Sequence, residues 1–197
     1  MSHPGGAASP WLLRWAHLIR PGGRVLDLAA GSGRHSRWLA ANGFAVTAVD
    51  RDAEAMAALD GFVETLVADL EGAPWPLAGR SFDAVLVANY LWRPLFPAIV
   101  AAVDAGGVLL YETFAAGNET VGRPARPDFL LARAELLDLA AGLQVVAFED
   151  GFLSDPDRFV QRIAAVRAAP AEGPQRHPLA APAQGAGGDP GSLESMG

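Results

Sequence analysis

Arg24-Val-Leu-Asp-Leu-Ala-Ala-Gly-Ser-Gly-Arg-His-Ser36 is the stretch that decides the fold of this chain. Val25, Leu26 and Leu28 form a short apolar run of the kind that makes a buried strand. Gly31 and Gly33 supply a tight turn, and the residues after them open a helix that stops at Asn42-Gly43, a left-handed terminator. Strand, glycine turn and helix in this order place a ligand cradle at the carboxyl edge of a parallel sheet. Asp27, at the end of the strand, puts an acid beside that cradle.

The same rhythm continues outward. Apolar runs at residues 44–49, 62–68, 82–88 and 108–112 alternate with helical segments at 53–59 and from Pro94 or Pro97 to 103. Near-continuous apolar strands separated by helices predict a doubly wound α/β sheet in three layers, with both faces covered. Upstream, Ser9-Pro10 starts a helix over 9–19, with Trp11, Trp15, Leu18 and Ile19 on one stripe; the two tryptophans are either a lid on the cradle or core anchors. Downstream, residues 113–128 form a loop rich in Gly, Pro, Asn and Arg, long enough to suggest function. A helix over 133–141 and strands at 143–149 and 159–166 follow. The connection between those strands is too short for a crossover helix, so they form an antiparallel pair. One domain is expected over 1–167. The Ala-, Pro- and Gly-rich stretch 168–197 is expected to be disordered, because it has too little apolar surface to offset its ordering entropy.

Composition removes whole classes of function. The 197 residues carry a formal net charge of −7, from 15 basic and 22 acidic groups, which argues against a duplex nucleic-acid binder. There is no cysteine, hence no disulfide, thiolate metal site or cysteine nucleophile. All 15 basic residues are arginine, so Schiff-base chemistry and the lysine-bearing phosphate loop are excluded. No apolar run spans a membrane, and residues 1–9 lack a secretory pattern, so a cytoplasmic protein is expected.

A glycine turn alone fits many nucleotides. Here the third glycine of the dinucleotide fingerprint is replaced by Ser36, and Asp27 would repel a pyrophosphate while attracting an ammonium. Both points weigh against a nicotinamide-dependent oxidoreductase. They favour S-adenosylmethionine, which carries an ammonium and a sulfonium but no phosphate. Asp50 ends the second strand, where a carboxylate accepts ribose hydroxyls. Asp69 ends the third, placed to accept from an adenine amino group with Leu70 beside the ring.

Residues 25–33, Val46-Thr-Ala-Val-Asp50, Ala68-Asp69 and Phe82-Asp-Ala-Val-Leu-Val-Ala-Asn89 resemble the successive motifs of class I S-adenosylmethionine-dependent methyltransferases. The resemblance covers residues 25–167. Gly-Arg-His-Ser followed by Leu-Ala-x-x-Gly-Phe is similar to the small tellurite-resistance-type branch. It implies a seven-stranded sheet of order 3-2-1-4-5-7-6 with the seventh strand antiparallel. By position it implies that Asp27, Ala29, Gly31 and Gly33 hold the methionine moiety, Asp50 the ribose, and Arg51, Asp69 and Leu70 the adenine. Asn89 and Tyr90 would line the methyl-transfer region. His35, just after the glycines, either donates to the ligand's carboxylate or faces a neighbouring loop.

For the acceptor, Asn89-Tyr-Leu-Trp-Arg-Pro94 offers an aromatic wall in Tyr90 and Trp92. Arg93, Arg123 and Arg126 are either solvated or converge on an acidic or oxyanion group. No convincing general base stands out, and no metal is implied. The expected partner is a small-molecule acceptor that is deprotonated or has a free lone pair at neutral pH: a metalloid oxyanion, a thiol or another heteroatom compound. The protein is expected as a monomer or homodimer. The competing reading is a non-catalytic S-adenosylmethionine-binding module.

Overall fold

The computed structural model of the protein describes residues 6–170 and 173–181. Seven strands, β1 (Arg24–Leu28), β2 (Ala45–Asp50), β3 (Glu64–Val67), β4 (Phe82–Ala88), β5 (Val103–Phe114), β6 (Gln144–Leu153) and β7 (Arg158–Val166), form one sheet of order 3-2-1-4-5-7-6. Strands β1 to β5 run parallel, and β7 is antiparallel to both β5 and β6.

Alternation along the strands divides the core. Leu26, Leu28, Val85, Val87, Leu109, Tyr111 and Ile163 face one side, under α4 (Phe96–Ala101) and α5 (Glu135–Leu139). Val25, Val46, Ala84, Leu86, Val108, Leu110 and Ala164 face the other, under α1 (Pro10–Trp15) and α2 (Arg34–Ala41). Both faces are covered, so the strands read as unbroken apolar runs. Helix α3 (Ala53–Ala57) packs Met56 beside Ala48 and Ala30.

Ser9 caps α1, its hydroxyl accepting from Trp11 N–H at 3.0 Å, with Pro10 in the first turn. Trp11 and Trp15 are each 1% exposed and meet edge to face at 5.7 Å; Trp11 Nε1 donates to the Ile163 carbonyl. Both tryptophans are therefore core anchors, and the lid alternative does not apply.

Among the boundaries that differ from the sequence reading, three have a clear local cause. Strand β5 starts at Val103 because Asp104-Ala-Gly-Gly107 is an irregularity within the strand, where the register with β4 shifts. Strand β6 continues to Leu153 because Asp150 and Gly151, turn formers by type, pair with Gln161 and Val160. Helix α5 is only five residues long, and Ala134 before it is left-handed. Of the stretch expected to be disordered, residues 168–170 and 173–181 carry no helix or strand. They nevertheless make contacts: Gln175 donates to the Ala169 carbonyl, and the Pro178 carbonyl meets the His17 ring. The rest of that stretch lies outside the described residues.

Candidate active site

The carboxyl ends of β1, β2 and β3 open into a cleft lined by Ala29, Asp50, Arg51, Ala68, Asp69, Leu70, Glu71 and Tyr90. Its glycine turn is built under tight constraint. Gly31 and Gly33 have φ of 54° and 74°, and a Cβ at Gly33 would lie 2.4 Å from Leu59 Cδ1, so this position admits only glycine. Ala29, also left-handed at φ 55°, holds the turn at a conformational cost of about 1–2 kcal/mol for a residue with a Cβ. Asn89, at the end of β4, is left-handed too, a state asparagine tolerates better. Two of the four left-handed non-glycine residues among the described residues, Ala29 and Asn89, thus stand at the carboxyl edge of β1 and β4.

Asp50 is fixed in the cleft. Its Oδ2 accepts from Gly31 N–H at 2.8 Å and its Oδ1 from Asp52 N–H at 2.9 Å, leaving lone pairs on both oxygens for a ligand. Asp69 accepts from Glu71 N–H at 3.0 Å, and this hydrogen bond leads the effects that lower its pKa. Leu70 is buried and gives the cleft an apolar surface. Sequence reasoning overlooked Ala68 and Glu71; an acid two positions after Asp69 was the available signal.

Asp27 is placed differently from the expected direct contact. It is 1% exposed, and its Oδ2 accepts from the Ser36 hydroxyl at 2.6 Å, tying the end of β1 to the first turn of α2. Burial raises its pKa to about 6, with Ser36 partly offsetting the shift. With so little exposed surface and a bond to Ser36, its carboxylate positions the turn. His35 is also buried, with Nε2 unpartnered, and burial lowers its pKa to about 4. It is neutral at pH 7 and does not line the cleft.

Tyr90 lines the same cleft as Asp50 and Asp69. Its hydroxyl is buried without a protein partner, and burial, reinforced by Glu71, Asp69 and Asp50, raises its pKa. It remains a neutral phenol with a hydrogen bond to give. The Tyr111 hydroxyl donates to the Tyr90 carbonyl at 2.6 Å and fixes the segment after β4 from below. Trp92 is half-buried against the core.

Two of the three arginines meet at Asp128. Arg93 forks onto the Glu135 carboxylate and donates to the Asp128 and Leu130 carbonyls, each at 2.9 Å. It clamps the loop after β4 to the approach of α5 and keeps one Nη1–H unused. Arg126 pairs with Asp128 at 2.8 Å and lies over the Phe129 ring, while Arg123 is exposed. Replacing Arg93 with alanine strands the partly buried Glu135 carboxylate and two carbonyls. We expect a loss of about 2 kcal/mol in chemical denaturation. Cofactor affinity should be nearly unchanged, since Arg93 does not line the cleft. A large drop in that affinity would return Arg93 to the site.

Residues 25–107 match the family model described as "Methyltransferase domain". The match covers less than half of the chain, and the fold is that of the class I methyltransferases. Its sheet order and antiparallel seventh strand are those of that fold. Among solved structures, the chain is similar to TehB from Haemophilus influenzae at 20% identity and a TM-score of 0.64, over 77% of this chain and 59% of that one. It therefore spans less than two thirds of TehB. A methyltransferase from Methanosarcina mazei superposes with a TM-score of 0.64 at 16% identity, over 84% of this chain and all of the other. The [4+2]-cyclase SpnF is also similar, at 16% identity and a TM-score of 0.61, over 81% of this chain and 79% of that one. At these identities the likeness is one of fold, and the chemistry has to be argued from the site. No curated protein sequence matches the chain. No helix among the described residues is long and apolar enough to cross a membrane.

Proposed function

We propose that this methyltransferase transfers a methyl group to a small-molecule acceptor by in-line displacement. The observation that carries the reading is Asp50, held by two backbone N–H groups with lone pairs open to the cleft it shares with Asp69, Leu70 and Tyr90. A carboxylate for a ribose diol, a second for an exocyclic amine, an apolar surface and an unpartnered phenol together fit the nucleoside half of S-adenosylmethionine. Bound there, that cofactor supplies a methyl group already activated by its sulfonium.

The protein's own work is positioning. Gly31 and Gly33 let the backbone approach the ligand closely. Asp27 adds negative potential beneath the turn, favourable to an ammonium. The neutral phenol of Tyr90 donates a hydrogen bond without adding charge. Acceptor and methyl carbon must meet at about 3–3.5 Å in a closed site, and the segment 89–94, pinned by Tyr111 and Arg93, is the rigid wall against which that alignment is set.

The test is calorimetry with S-adenosylmethionine, S-adenosylhomocysteine and NAD, followed by acceptor screening that detects S-adenosylhomocysteine release. We expect micromolar or tighter binding of the first two ligands, none of NAD, and turnover with a small molecule. Cofactor binding with no product across amines, thiols, alcohols and oxyanions would favour the non-catalytic module.

A further inference from the structure

Residues 173–181, beyond the last strand, contain no helix or strand, yet they stand against the sheet at one place. Residues 175–179 face 144–146, the start of β6, across a groove of about 540 Å³. β6 is the outer strand of the sheet, paired with β7 alone. An outer strand left open is a template for pairing with another chain, so a segment laid beside it acts as a guard. Apolar burial holds this segment weakly, since Pro178 is exposed and Leu179 is 68% exposed.

A histidine holds it. His17 lies in the 3-10 turn Ala16–Leu18 that follows α1. Its Nδ1 meets the Arg14 carbonyl and its Nε2 the Pro178 carbonyl, each at 2.9 Å. Among the described residues, the second contact is the one hydrogen bond that joins 173–181 to the folded domain; Gln175 bonds within the tail, to Ala169. Both partners of the ring are acceptors. A neutral imidazole has one N–H, so it satisfies one carbonyl and turns a lone pair toward the other, whereas an imidazolium donates to both. The arrangement is therefore built for the charged ring. Loss of the proton falls on the tail rather than on α1. Arg14 stands three residues away in a helix anchored by the buried Trp11 and Trp15, while the Pro178 carbonyl belongs to a segment with no second bond to the domain among the described residues.

We infer that His17 is a proton-operated latch: as an imidazolium it ties residues 173–181 beside the open edge of β6, and on losing its proton it lets them go. The sign follows by linkage. Docking gains a hydrogen bond only when the ring is charged, so it is strongest in acid and weakens as pH rises through the range of about 5 to 8 in which histidine changes charge. The ionisable groups on the neighbouring elements are Arg14 of α1, Glu149 of β6, Arg162 of β7, and Arg176 and His177 of the tail. Arg14 and Arg162 share the Glu149 carboxylate, and Arg176 is exposed. His177 is the rival imidazole, and it acts in the opposite sense. Its Nε2 is buried without a partner, so a charge on that ring would lack an acceptor and loosen the tail in acid. The direction of the pH trend therefore identifies which histidine is in control. Gln144 pairs with Val166, and Val166 with Val108 at the start of the sheet-spanning part of β5, so the latch works at the edge opposite the cleft of Asp50.

The test is tryptic cleavage after Arg176 in the full chain at pH 6 and pH 8, followed by mass spectrometry. Each rate is divided by that of a free peptide of residues 168–181 at the same pH. Cleavage requires the tail to leave β6, so the ratio follows the population of the open form. In wild type it should be about tenfold lower at pH 6 than at pH 8, the effect of one charge-assisted hydrogen bond. His17→Gln should abolish the difference, because an amide's donors do not change with pH, and His177→Gln should retain it. A melting curve checks that His17→Gln is folded. Long-range 1H–15N spectra of the wild-type protein give a readout independent of any variant: both ring nitrogens of His17 should carry protons at pH 6. Equal ratios at the two pH values, faster relative cleavage in acid, a difference that survives in His17→Gln, or a singly protonated His17 ring at pH 6 would each overturn the latch.

Discussion

Asp50→Ala is expected to weaken S-adenosylmethionine binding by about 100-fold or more while leaving a folded protein. The magnitude follows from the two ribose hydroxyls assigned to this carboxylate. Each is a charge-assisted hydrogen bond of about 1.5–3 kcal/mol, and even the lower values together exceed two powers of ten in Kd. The folded state loses less. Asp50 also receives the N–H groups of Gly31 and Asp52, but these lie at the exposed rim of the cleft, where water can replace the carboxylate, so a stability loss of about 1 kcal/mol is expected. Asp50→Asn should fall between, since an amide still accepts one hydrogen bond but presents N–H groups to Gly31 or the ribose. The measurement is calorimetric Kd for S-adenosylmethionine, with a thermal melt as the control for folding. Unchanged affinity in Asp50→Ala would remove the ribose assignment.

The fold was readable because both faces of the sheet are covered. β1 and β4 occupy the residues marked out by their apolar runs, with Arg24–Leu28 and Phe82–Ala88 as the observed bounds. Where the covering fails, so does the signal. β3 shrinks to Glu64–Val67 at an exposed edge, where Phe62 is 70% exposed and has no neighbour to hold it in the sheet. β5 and β6 extend through Gly106-Gly107 and Asp150-Gly151, because a strand already paired on both flanks or in an antiparallel ribbon can carry turn-forming residues.

The cleft's carboxylates were legible for a related reason: Asp50 and Asp69 stand at strand ends, local features of sequence, and both line one cleft. The pairing of the loop side chains was not. Arg93 reads as a free cation until Glu135, 42 positions later, is brought against it by the docking of α5, and no local pattern reports such a partner. Tyr90 reads as an acceptor wall by adjacency to Trp92, yet lines the cleft of Asp50. Distant pairing decides which charges remain free, and free charges decide what the acceptor can be.

Asp27→Asn should make the ligand-free protein more stable at neutral and alkaline pH, and leave it nearly unchanged at pH 4. Burial raises the folded-state pKa of Asp27 to about 6, above the ordinary value of 3.8. The native state therefore holds this proton more tightly than the unfolded chain does. The resulting stabilisation is complete below about pH 4 and is lost as pH rises through 6. A shift of this size corresponds to about 3 kcal/mol. Asparagine carries no proton to lose, so it avoids that decline. At pH 8 the variant is expected to melt higher than wild type by roughly 6–12 °C, the shift that about 3 kcal/mol produces in a domain of this size. Its side-chain oxygen still accepts from Ser36, so the turn is kept. The sign reverses for the ligand. An ammonium near the turn favours the ionised carboxylate, so wild-type affinity for S-adenosylmethionine should rise between pH 5 and 7, and that rise should be absent from the variant. Melting curves from pH 4 to 8 and calorimetry across the same range measure both. A wild-type protein whose stability climbs through pH 6 relative to Asp27→Asn would show that the carboxylate is stabilised as an anion by groups around it. The field beneath the turn would then already be neutralised before any ligand arrives.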